Sequence, residues 1–183
     1  MTGIDLIGEL ASAFPVAVRD DVCRALSAFP TTRLLGDSFS VRIGDEVVKL
    51  PRRIHNDPAL IRFDQLTERQ SEFADCLLTR HSDGFVREKH LSRVICVNRI
   101  WVPPFVVELV GEYVVEILRI IRRNLPNLDT ATYGRFLGAN PECLGTIEQR
   151  VMSYWNAYYR DQKREEYVGF QLLEFFRGLQ REK

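Results

Sequence analysis

The sequence has no net charge to offer. Lys+Arg and Asp+Glu each total 25, giving a formal charge of zero at pH 7. That balance supplies no general attraction to nucleic acid or acidic lipid. The basic pairs Arg52-Arg53 and Arg122-Arg123 do not grow into runs, so nucleic-acid binding is not expected. Enzyme signatures are missing too: there is no G-x-S-x-G, no Walker loop, no Rossmann glycine pattern and no H-E-x-x-H. Cysteine is scarce and scattered. Cys23, Cys76, Cys96 and Cys143 form no C-x-x-C pair, which argues against a zinc knuckle or a disulfide frame. Each sits beside apolar residues at helix-like spacing, so reduced core thiols are expected. The opening stretch MTGIDLIGELASAF has no basic n-region and carries Asp5 and Glu9 inside its apolar pattern. It is not expected to act as a signal peptide, and a cytoplasmic location is expected. Low-complexity segments and long linkers are absent as well.

What is present is a chain of 183 residues, 45% hydrophobic and 27% charged, the profile of an ordinary globular protein. The expected fold is mainly α: an irregular multi-helix array or bundle with one small β-hairpin at about residues 38–50. A single helical domain is expected over 1–183, with N-terminal helices and the hairpin in 1–65 and a helical core in 66–183. Residues 4–13 and 15–28 read as short amphipathic helices, with Pro15 in the first turn of the second. Phe39, Val41 and Ile43 alternate with Ser40 and Arg42, and the pattern resumes at Val47, Val48 and Leu50. Gly44-Asp45 between them suits a tight turn, while Pro51 and Arg52-Arg53 end the second strand.

From Leu66 the chain reads helical. Thr67 and Gln70 make a capping box for a helix through about Arg80. A second helix begins near Phe85, and Pro103-Pro104 opens a third and longest one, FVVELVGEYVVEILRIIRRNL, ending before Pro126. Asp129 is a candidate N-cap for a short helix to about Leu137. Pro141 starts a tail that forms one long helix or two, divided near Arg160–Glu166.

Three constellations carry the functional question. The first is RHSDGFVREKHL, Arg80–Leu91, where His81, Asp83 and His90 crowd a turn. Their spacing fits no known zinc pattern, and no metal or cofactor is expected. Asp83 suits a helix cap, Gly84 a turn, and His90 the edge of a buried stripe as a hydrogen-bonded packing residue. The pattern SDGFVREKHLSRVI resembles the start of the second helix in HEAT-type α-solenoid repeats, where an aspartate at the turn precedes Val-Arg and then an apolar residue. Asp83, Val86-Arg87 and Leu91 match it. The resemblance covers residues 67–97 and implies a helix pair in which the acid and arginine tie adjacent repeats together.

The second constellation is Glu108, Glu112 and Glu116, at i, i+4 and i+8 on one face of the long helix. Almost every other position from Phe105 to Ile121 is apolar, but three carboxylates there argue against a membrane span. The strip is expected to face water or to pair with an arginine such as Arg93, Arg99 or Arg150. A metal site of the di-iron kind would need E-x-x-H pairs, which the sequence lacks. The third is the aromatic tail, with Tyr154, Trp155, Tyr158 and Tyr159 on two turns. Core packing is the plain expectation, and a groove for a partner is the functional one.

Together these features predict a non-catalytic protein–protein interaction or regulatory module. Its surface would draw on Glu108, Glu112, Glu116, Tyr154, Trp155 and Tyr158. The partner would be another protein, or a second copy docked through the C-terminal helix. The alternative is an enzyme with an unrecognised site around His81, Asp83 and His90.

Overall fold

The computed structural model describes residues 3–30 and 32–181. The protein is mainly α with one small β-hairpin. It divides into two compact units, Met1–Val94 and Ile95–Lys183, so the helix pair after Leu66 groups with the hairpin.

In the first unit, α1 (Gly3–Ala11) leads through Pro15 and a 3₁₀ turn at Val16–Val18 into α2 (Arg19–Leu26). The strands β1 (Arg33–Ile43) and β2 (Glu46–His55) pair antiparallel about the Gly44-Asp45 turn, with Ile43 opposite Glu46. Gly44 has φ +58°, a conformation that side chains other than glycine adopt at a cost. Val41, Ile43, Val48 and Leu50 bury one face of the hairpin. Two helices complete the unit, α3 (Glu68–Leu78) and α4 (Gly84–Val94). The Thr67–Gln70 capping box forms as expected. Phe14 meets Phe73 edge-on at 5.1 Å in the core.

The hairpin is longer than expected, because Pro51 and Arg52-Arg53 do not end β2. Arg80, buried just beyond α3, holds that stretch in place. Its Nε donates to the Pro51 carbonyl at 3.2 Å and its Nη2 to the Arg52 carbonyl at 2.7 Å. The Ile54 N–H then donates to the Arg80 carbonyl, and the Ser82 N–H to the Ile54 carbonyl, each at 2.9 Å. A remote side chain thus supplies what the local sequence lacks.

In the second unit the long helix expected from Phe105 to Leu125 is broken. It runs as α5 (Pro103–Glu108), a 3₁₀ turn at Leu109–Gly111, an extended Glu112, and α6 (Val115–Asn124). Then come α7 (Thr130–Ala139), α8 (Cys143–Tyr158) and α9 (Val168–Arg181). Asp129 caps α7 as expected, and the tail forms two helices. Gly111 explains the break. A Cβ there would stand 3.1 Å from Cδ of Arg150, so the glycine lets α8 close on the turn. Glu108, Glu112 and Glu116 therefore do not share one face of one helix, contrary to the expected ladder. Phe105, Val106, Leu118, Ile121, Ile147 and Phe176 form the core. Among the described residues, no helix is long and apolar enough to cross a membrane.

The cysteines also need a correction. All are free and Cys76 is buried, but Cys96 is exposed. It lies past the end of α4, where the helical stripe no longer determines which side is buried.

Candidate functional site

The histidine turn resolves into separate structural bonds. His81 Nδ1 accepts the Asp83 N–H at 3.0 Å, so its proton sits on Nε2 and is donated to the Asn56 carbonyl at 3.0 Å. Burial lowers the His81 pKa, against the opposing pull of the Asn56 carbonyl. The ring is neutral and both nitrogens are used. Asp83 Oδ1 accepts the Phe85 N–H at 2.8 Å, capping α4. His90 Nδ1 meets Asp75 Oδ1 at 2.5 Å, and its ring stacks on Phe63. Arg87 is buried and donates to the His81 and Ser82 carbonyls at 2.8 and 2.9 Å.

The residue that does keep His81 company is His55, at the end of β2. Their rings stack at 5.8 Å, and His55 Nδ1 lies 2.9 Å from Ser82 Oγ. They line an open cleft of about 630 Å³ with Arg33, Asn56, Asp57 and Asp83. His90 is not on its wall. The side-chain amide of Asn56 is buried there with no hydrogen-bond partner among the described residues. Among the described residues, no group of three or more His, Cys, Asp or Glu side chains could hold a metal ion.

The other two constellations meet in the second unit. Glu108, buried at the end of α5, pairs with Arg150 of α8 at 2.5 Å. Burial alone would lower the Arg150 pKa, but Glu108, Glu112 and Tyr154 outweigh it, and the pKa is raised. Glu112 is buried as well, while Glu116 is exposed and reaches Arg119 only at 3.8 Å, a solvent-screened contact.

Arg150, Tyr154 and Tyr158 follow one another at four-residue steps along α8, so one helix face carries the guanidinium and two phenols. Tyr113, in the segment between α5 and α6, meets Tyr154 at 5.7 Å with the two rings tilted. The row continues through Tyr158 and Tyr159, at 6.5 Å per step, to Tyr167, 4.9 Å from Tyr159. Tyr113 is 50% exposed and Tyr158 67% exposed. Packing does not account for that much open aromatic surface. Trp155 turns away from the row. Its ring lies under Arg164 at 5.0 Å and its Nε1–H is donated to the Gln162 carbonyl, which ties down the connection to α9.

Tyr113 belongs to the segment that the sequence pattern presents as one continuous helix. The signal that could have freed it is Gly111, two positions earlier. The break at Gly111 dissolves the acidic ladder and delivers Tyr113 to the tyrosine row. No protein-family model, no curated protein and no solved structure matches this chain.

Proposed function

We propose that this chain is a non-catalytic protein–protein interaction or regulatory module whose working surface is the tyrosine row of the second unit. The observation that carries the reading is the row itself: Tyr113, Tyr154, Tyr158 and Tyr159 in contact, with two of them half or more exposed. Tyrosine gives large contact area at small conformational cost and keeps a hydroxyl for a partner's polar groups. The Glu108–Arg150 pair anchors α8 beneath it. The HEAT-type resemblance of 67–97 suits the same class of role, with Asp83 and Arg87 acting inside their own turn.

The test compares proteins co-purifying with the tagged full chain and with a Tyr113→Ala/Tyr158→Ala variant, with His55→Ala as control. A stoichiometric partner lost at least tenfold with the tyrosine variant and kept with the control supports the reading. Equal recovery from all three, or no partner at all, contradicts it.

One contact favours a second reading, an enzyme at the histidine turn. Ser82 Oγ and His55 Nδ1 lie within hydrogen-bond reach in the open cleft, as a nucleophile and base would. His55 has no orienting acid bonded to it among the described residues. A fluorophosphonate probe that labels Ser82 would carry this reading, and an unlabelled chain would remove it.

A further inference from the structure

We infer that His81 is a pH-operated latch: protonating its ring releases Asp83 and parts the two walls of the histidine cleft. One wall is the end of β2 with the residues just beyond it, His55, Asn56 and Asp57. The other is the turn into α4, with Asp83 and Val86. The buried His81 ring bridges them, through Nε2–H to the Asn56 carbonyl and through Nδ1 to the Asp83 N–H.

The two halves of that bridge respond differently to a proton. A main-chain N–H can only donate, so Nδ1 holds Asp83 only while it keeps its lone pair. Imidazolium carries a proton on both nitrogens, and two donors then face each other across 3.0 Å. The Asn56 bond survives, because Nε2 donates in both forms. Asp83 is therefore the group that must leave. It is also the pivot of the helix start: its Oδ1 accepts the Phe85 N–H at 2.8 Å, and its carbonyl accepts the Arg87 N–H at 3.2 Å.

The movement is bounded on both sides. Ser82 stays on β2 through its N–H bond to the Ile54 carbonyl, and the Ile54 N–H is held by the Arg80 carbonyl. The Arg87 guanidinium grips the His81 and Ser82 carbonyls. None of these bonds uses the imidazole, so residues 83–86 take up the shift. The charges around the ring set its direction. Burial lowers the His81 pKa from 6.5; the Asn56 carbonyl and Asp83 of the turn pull it up, while His55 of β2 and Arg87 of α4 push it down. Arg33 of β1 and Asp57 complete the charged groups of the cleft. The latch is closed at neutral pH and opens as pH falls.

The experiment is amide hydrogen exchange of the full chain, read residue by residue by NMR from about pH 7 to about pH 4.5, with rates corrected for the pH dependence of exchange itself. The expected result is an Asp83 amide that loses at least tenfold in protection, with the midpoint of the His81 ring titration, while the Ile54 and Ser82 amides keep theirs. His81→Asn leaves an oxygen that accepts from two residues on and takes up no proton in this range, so Asp83 protection becomes independent of pH. If that variant fails to fold, the two midpoints in the parent chain decide. An Asp83 amide indifferent to the ring titration overturns the inference, as does a ring that stays neutral until the chain unfolds. Protection lost at Ile54 and Ser82 in step with Asp83 is unfolding of the unit, and overturns it too. So does a folded His81→Asn chain that keeps the parent's pH dependence.

Discussion

Replacing Arg150 with methionine removes the cation that pairs with the Glu108 carboxylate, and the size of the loss follows from the unequal burial of the two partners. The Glu108 side chain is 7% exposed and that of Arg150 is 31% exposed. Removing one partner from a fully buried pair costs about 3–5 kcal/mol, and partial exposure of the guanidinium reduces this to about 2–3 kcal/mol for Arg150→Met. Methionine keeps the aliphatic stem that packs on Gly111, so the change is mainly one of charge. Glu108→Gln is milder, at about 1–2 kcal/mol, because the unpaired guanidinium can turn to water. The double variant is less destabilised than the sum, with a coupling of about 1–2 kcal/mol. Urea unfolding followed by tryptophan fluorescence reads this directly, since both tryptophans, Trp101 and Trp155, lie in the second unit. A reversed order of the single variants, or a coupling under about 0.5 kcal/mol, refutes the reasoning.

The His81 ring, neutral when folded, gives a pH signature. Its pKa is lowered from the ordinary 6.5, so the unfolded chain binds the proton first, and stability present above that value is lost as pH falls toward the folded pKa. Between about pH 7 and pH 5, His81→Gln should show a shallower decline than the parent chain, and equal slopes would contradict a ring held neutral in the folded chain. Iodoacetamide should label Cys96 first. Burial raises the Cys76 thiol pKa well above its ordinary value and pushes that of Cys143 up to about 12, so both should remain unmodified in the folded chain by peptide mass mapping. Gly169→Ala should cost the second unit about 1–3 kcal/mol in urea unfolding, since a Cβ there would lie 2.7 Å from the Tyr167 ring and 2.9 Å from Val151. An unchanged midpoint would show that the ring shifts freely.

What could be read from the sequence was what local chemistry determines. The Thr67 and Asp129 caps, the Gly44-Asp45 turn and the Asp83 turn each depend on residues within a few positions, and each formed where the pattern put it. The failures share a cause as well. The break at Gly111 depends on Arg150, far along the chain, and the full length of β2 depends on Arg80. Helical periodicity cannot report either contact, because the amphipathic pattern of 105–125 is compatible with one helix or two. For the candidate site this had opposite effects. Tyr154 and Tyr158 were visible as an i, i+4 pair, while Tyr113 joined them only through the break. His81 and His90 looked alike in sequence, yet one is bonded to main chain and the other to a carboxylate.

The most direct measurement installs a photo-crosslinking phenylalanine analogue at Tyr158 in one version of the full chain and at His55 in another, then irradiates each in its native cell. A surface that works by holding a partner predicts a discrete cross-linked protein from residue 158 and none from residue 55. A bare residue 158, with adducts only at 55, would move function to the histidine cleft and contradict the account.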